Sequence, residues 1–136
     1  MKSGYPNSGI SYYWIAAFLF EYLHFYKNRY NDPMDNLSII KALSNETRFK
    51  ILEWLKEPEV HFGPQDHLAK ECGFEHGICV GSIAEKAGLA QSVISGYLVK
   101  MQKAGLLQSK RMGQWTYYRR DEDAIRRFKE SVQADL

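Results

Sequence analysis

Three of the four histidines and both cysteines of this 136-residue chain lie between His61 and Cys79. His61, His67, Cys72, His76 and Cys79 are the side-chain types that bind zinc, copper or nickel through imidazole nitrogen and thiolate sulfur. Their spacing fits no tight ligand template: Cys72 and Cys79 stand seven positions apart, and no Cys-x-x-Cys occurs. The five are candidate ligands for a transition-metal ion, and the alternative is a surface loop with incidental histidines and small buried cysteines. A redox switch through Cys72 and Cys79 is a third reading of the same residues.

A second group suits a different chemistry. Gln91, Ser92, Ser95, Gly96, Tyr97 and Lys100 place small, hydrogen-bonding and cationic residues on one stretch, and Lys110, Arg111 and Gln114 follow. From Lys86 to Arg120 there are seven basic residues (Lys86, Lys100, Lys103, Lys110, Arg111, Arg119, Arg120) and no Asp or Glu. The whole chain holds 18 basic and 16 acidic residues, so its net charge of +2 says little and the segregation says more. A surface free of acids suits the phosphates of a nucleic acid. The alternative is a solvated basic face with no partner.

The elements that must position these residues favour DNA. Ile83, Ala84 and Ala87 give one helix an apolar face, and Gly88 stands where a helix commonly ends in the left-handed conformation. Leu89 and Ala90 make a turn. A second helix runs from about Gln91 to Ala104, with Ile94, Leu98 and Met101 on its buried face and the polar group opposite. Gly105 ends it. Leu106 to Arg111 and Trp115 to Arg120 then flank Met112-Gly113-Gln114, a hairpin pattern. In that hairpin Leu107, Trp115, Tyr117 and Tyr118 are expected to pack on the helices, and Lys110, Arg111, Arg119 and Arg120 to reach solvent or a polyanion. The fold class is mainly α with a small β-hairpin wing, a winged helix-turn-helix.

The remaining chain reads as support. Residues 1–33 hold 10 of the 19 aromatic residues, and Tyr12 to Phe20 is an unbroken apolar run of nine that Glu21 ends. A membrane span needs about 18 apolar residues, and no small-residue cleavage site follows the run. An extra aromatic helix over about Ser11 to Tyr30, closed at Asp32-Pro33, is one expectation; a natural start at Met34 is the other. Residues 34–136 form the expected DNA-binding and dimerisation domain. Asp35 or Asn36 caps a helix carrying Leu37, Ile40 and Leu43, and Ser44-Asn45-Glu46-Thr47 supplies a break and a new cap. Phe49, Leu52 and Leu55, widened by Ile51 and Trp54, stripe the next helix, which Pro58 closes. Glu57 to Ile78 is a long irregular segment, a kind that is usually functional or disordered, within which Gln65 to Cys72 suits one short helix. After the hairpin, Asp121-Glu122-Asp123 starts a helix striped by Ile125, Phe128 and Val132. Two cysteines without a secretory signal suit a reducing cytoplasm.

From Leu37 onward the chain resembles the ArsR/SmtB family of winged-helix transcriptional repressors, over roughly the last hundred residues. The resemblance rests on KALSNETRFKILEWL, on CVGSIAEKAGLAQSVISGYLVKMQKAGLL and on QWTYYRR. It implies a homodimer paired through its terminal helices, an inverted-repeat operator, and release from DNA by an inducer. Members that sense arsenic, cadmium or lead carry a cysteine pair before and at the start of the first reading helix. Here Cys79 fits the first position and Gly81 replaces the second. The position capping the recognition helix, usually Ser in relatives, is Ala90, which raises the alternative of a later start capped by Ser92.

The expected function is sequence-specific repression of transcription on double-stranded DNA by a cytoplasmic homodimer with no membrane role, relieved by a small inducer: a metal, a redox signal or a metabolite. Gln91, Ser92, Ser95 and Tyr97 would contact bases or nearby backbone, with Gly96 allowing close approach, and Lys100, Lys110 and Arg111 would neutralise phosphates. One alternative is a winged-helix protein-interaction module without DNA binding. Another is a metal-handling or thiol enzyme, for which the chain shows no nucleophile with base and orienter.

Overall fold

The computed structural model describes residues 15–21, 35–65 and 73–136. The chain divides into two units, Met1–Met34 and Asp35–Leu136. In the first, residues 15–21 are helical (α1) and expose Ile15, Phe18, Leu19 and Phe20. The remainder of the expected Ser11–Tyr30 helix lies outside the described residues.

The second unit begins with three helices, and the caps of the first two were legible. In α2 (Asn36–Leu43) the Asp35 carboxylate accepts the Ser38 amide at 3.2 Å, and in α3 (Glu46–Trp54) the Asn45 side chain accepts the Arg48 amide at 3.0 Å. Both satisfy first-turn donors that have no partner within the helix. Pro58 does not simply end α3: it opens a further short helix, α4 (Pro58–His61). Proline suits that first position because its missing N–H would be unpaired there anyway.

The reading motif follows. The two-residue strand β1 (Ile78–Cys79) leads into α5 (Val80–Ala87), which stops at Gly88 with φ +66°. Then come α6 (Gln91–Lys103), β2 (Leu107–Met112), β3 (Trp115–Arg120) and α7 (Glu122–Asp135), the last capped by Asp121 on the Ala124 amide at 3.0 Å. β2 and β3 pair antiparallel from Leu107 opposite Arg120 to Met112 opposite Trp115. The turn between them is the two residues Gly113 and Gln114, with Gly113 at φ +60°, where a two-residue hairpin turn favours glycine. β1 pairs with the other edge of β3, Ile78 opposite Tyr118 and Cys79 opposite Tyr117. The sheet therefore has three strands, in the order β1-β3-β2, where the sequence showed two.

Ile39, Ile51, Leu55, Ile83, Ile94, Leu98, Met101, Leu106, Tyr117 and Ile125 are buried and draw α2, α3, α5, α6 and α7 into the core, and α4 buries its first residue, Pro58. Two expectations about that core are corrected. On α2 the buried residues are Ile39 and Ala42, whereas Leu37 is 58% and Ile40 49% exposed. On α3, Ile51, Leu52 and Leu55 are buried and Phe49 is 48% exposed. Both helices are apolar on more than one side, so one apolar face remains outside the core of the single chain.

Candidate nucleic-acid interface

The two faces of α6 divide as the spacing predicts. Ile94, Leu98 and Met101 are fully buried, and Gln91, Ser92, Gly96 and Lys100 are exposed, with Ser95 and Tyr97 half-buried. Ser92, Gly96, Val99 and Lys103 recur at steps of four, three and four, so they form one row along the outer side. Val93 and Val99 are also exposed, and apolar side chains there can meet thymine methyl groups. Sequence reasoning passed over them because valine reads as core; their signal is that they fall off the Ile94-Leu98-Met101 stripe.

The start of α6 answers the cap question. Helix geometry begins at Gln91 with Ala90 as cap residue and no capping side chain, so Ser92 is inside the first turn and does not cap a later start. The first-turn amides of α6 are thus not occupied by a side-chain cap, and such amides with the positive end of the helix dipole favour phosphate.

Arg48 is the residue that sequence reasoning missed. It is a charged residue buried in the described core. Its Nε donates to the Ala42 carbonyl at 2.6 Å and its Nη2 to the Lys41 carbonyl at 3.2 Å, closing the C-terminus of α2. Its guanidinium also sits 5.2 Å from the centroid of the Tyr97 ring, a cation–π contact. Tyr97, expected at the bases, is therefore held against Arg48 and ties α6 to the α2–α3 corner.

The cations of the acid-free stretch fall into two sets. Lys100, Lys103, Lys110 and Arg111 are exposed, as is Gln114 in the wing turn. Arg111 Nε donates to the Gly113 carbonyl at 3.3 Å and so stays at the wing tip. The expectation that Arg119 and Arg120 reach solvent or a polyanion is corrected. Arg119 lies 4.2 Å over the Phe74 ring and donates to Gln108 Oε1 at 2.9 Å and the Glu75 carbonyl at 3.3 Å. The Arg120 side chain is 8% exposed, paired with Glu122 at 2.7 Å and bonded to the Leu52 carbonyl at 3.1 Å. Lys86 Nζ stands 5.1 Å from the Trp54 ring and 5.8 Å from the Phe62 ring. Trp115, expected to pack on the helices, is 40% exposed at the tip of the hairpin, opposite Met112. Tyr117 and Tyr118 are buried as expected, and burial pushes both phenols up.

Of the metal candidates, the described His61, His76 and Cys79 are not brought together. His76 Nδ1 contacts Glu59 Oε1 at 2.6 Å, and that contact, after the Glu59 backbone amide, holds the Glu59 carboxyl below its usual range. Cys79 is buried against Phe74 and Tyr117, its sulfur 3.1 Å from Ser82 Oγ. His61 is half-buried in a separate groove beside Phe49, Trp54 and Phe128. Among the described residues no three His, Cys, Asp or Glu side chains are placed to share a metal ion; His67 and Cys72 lie outside them.

No protein-family model matches the chain. It is 40% identical over 103 residues to the uncharacterized HTH-type transcriptional regulator YbzH of Bacillus subtilis, a match covering 76% of this chain and 100% of that protein. It is also 40% identical over 45 residues to the arsenic resistance transcriptional regulator ArsR1 of Pseudomonas putida, covering 33% of this chain and 35% of that one. The chain belongs to the ArsR family. Among solved structures, the homodimeric winged helix-turn-helix DNA-binding domain Mb0332 of Mycobacterium bovis, a possible ArsR-family regulator, superposes with a TM-score of 0.50 at 28% identity, covering 74% of this chain and 80% of that one. The chain is thus a winged helix-turn-helix transcriptional regulator, and its ArsR-family relatives are regulators, not enzymes. No helix among the described residues is long and apolar enough to cross a membrane. Within this ArsR-family frame Gly81 lies in the first turn of α5 with open space around it, so the thiolate pair that the resemblance associates with arsenic, cadmium or lead is reduced to the buried Cys79.

Proposed function

We propose that the chain is a homodimeric repressor that binds an inverted-repeat operator, sets its two α6 helices into successive major grooves about 34 Å apart, and leaves DNA when a small inducer binds. The observation that carries this reading is the division of α6, with Ile94, Leu98 and Met101 in the core and Gln91, Ser92, Gly96 and Lys100 outside, beside a wing that exposes Lys110, Arg111 and Gln114. Gln91, Ser92 and Ser95 read bases or adjacent backbone, and Lys100, Lys110 and Arg111 neutralise phosphates. The homodimer of the Mycobacterium bovis domain supports the dimer. So do the exposed Leu37 and Ile40 on α2, a helix tied to α7 by the Asn36 Nδ2 to Ser131 Oγ bond at 2.8 Å.

The test is the double variant Lys110→Ala, Arg111→Ala. Each phosphate contact adds about 0.9 to the slope of log affinity against log salt, so the variant is expected to bind all DNA sequences more weakly and to lose about two units of slope. Unchanged affinity and slope remove the wing from the interface. Retained binding of a protein partner by a chain with no DNA affinity favours the interaction-module reading.

A further inference from the structure

Arg48 is buried, and a guanidinium taken out of water costs stability unless its donors and its charge are matched. Two of its partners lie on α2, whose last carbonyls have no partner within the helix. Nε donates to the Ala42 carbonyl at 2.6 Å and Nη2 to the Lys41 carbonyl at 3.2 Å. The third lies on α6, where the Tyr97 ring centroid stands 5.2 Å from the guanidinium carbon. Among the described residues no Asp or Glu pairs with Arg48, so carbonyl dipoles and the ring face hold its charge. One side chain of α3 thereby joins the end of α2 to the middle of the reading helix.

The core side of α6 does not fix that helix completely. Ile94, Leu98 and Met101 seat it along a single stripe, and because hydrophobic contact is non-directional a helix on one stripe can still roll about its axis. Tyr97 lies at the edge of the stripe, three residues after Ile94 and four before Met101, and Arg48 braces it there. The outer row with Ser92 and Gly96 turns with any roll. With side chains ending about 5–6 Å from the helix axis, a roll of about 20° carries them about 2 Å. That breaks a base hydrogen bond, which needs about 2.7–3.2 Å. It changes a phosphate attraction far less, because Coulomb energy falls only as the inverse of distance. Base contacts specify and phosphate contacts position, so the brace bears on sequence preference more than on overall affinity.

We propose that Arg48 is a positioning residue for DNA reading: it touches no DNA, but by holding Tyr97 against the end of α2 it sets the roll of α6 and with it the preference for operator over other DNA. The effect on preference rests on the operator reading proposed above; the brace does not. Full-length protein and variants are compared by fluorescence anisotropy on a labelled duplex from the protein's own upstream intergenic region and on a scrambled duplex. Tyr97→Phe, which keeps the ring, is expected to keep the wild-type preference. Tyr97→Leu is expected to lower it about tenfold, with affinity for the scrambled duplex and salt slope unchanged. Arg48→Lys keeps the charge but loses the fork and is expected to lower preference equally, and adding Tyr97→Leu to it to lower preference no further, since both break one brace. Tyr97→Leu, at a half-buried position, carries the test should Arg48→Lys fail to fold. Unchanged preference in Tyr97→Leu overturns the proposal. So does an equal loss in Tyr97→Phe, which makes the hydroxyl a DNA contact, or an equal loss on both duplexes, or additive losses in the double variant. Without DNA, the ring current of Tyr97 is expected to show as a shift of the Arg48 Nε proton in Tyr97→Leu but not in Tyr97→Phe; no shift in Tyr97→Leu removes the brace itself. A wild type that binds both duplexes alike, with that shift present, overturns the operator reading and the part of Arg48 in it, while the brace stands.

Discussion

A glycine inside a helix costs about 1 kcal/mol relative to alanine, and Gly96 bears that cost in the middle of α6 with open space where a Cβ would stand. Packing therefore does not explain it, whereas the close approach to a groove proposed above would. Gly96→Ala is expected to raise stability in urea by about 1 kcal/mol and to weaken DNA binding about tenfold; a variant that is more stable and binds equally well removes the close approach. The cations show what residue types alone conceal. Arg119 and Arg120 read as phosphate contacts because charge is visible in a sequence and partners are not. Their acceptors, the carbonyls of Glu75 and Leu52, lie 44 and 68 positions away. Arg48 was missed for the complementary reason: it falls among charged helix residues, and only the fold buries it over the end of α2. The outer residues of α6 were legible because their own helix decides which way they face.

At the scale of elements, legibility followed one-sidedness. In α6 a single apolar stripe of Ile94, Leu98 and Met101 left no choice of buried face. In α2, Leu37 and Ile40 compete with Ile39 and Ala42, and periodicity cannot say which pair meets the chain's own core. β1 is two residues long, too short for alternation to show, and its pairing comes from the register of β3. The exposed pair on α2 gives the dimer its test. Leu37→Glu with Ile40→Glu places charges on an apolar face without touching the core, so the variant is expected to keep its helical circular dichroism, sediment as a monomer and lose most operator affinity. A dimer that survives both substitutions contradicts pairing through α2.

For the whole molecule, the acid-free run from Lys86 to Arg120 divides between exposed cations and internal ties. Lys100, Lys103, Lys110 and Arg111 remain exposed around α6 and the wing, while Lys86, Arg119 and Arg120 fasten α5 and the sheet to Trp54, Phe62, Phe74 and Leu52. Charge segregation alone could not separate the exposed cations from those that tie elements together. Of the histidine-containing segment, His76 and Cys79 went to separate partners, Glu59 and Ser82, and the short helix expected over Gln65 to Cys72 lies outside the described residues but for Gln65. The central claim is that this surface reads DNA. Fluorescence anisotropy of the purified protein on a labelled duplex from its own upstream intergenic region, against a scrambled duplex and across salt, tests it most directly. The account predicts tighter binding to the upstream duplex, weakening steeply as salt rises. Absence of binding to either duplex at low salt would contradict it.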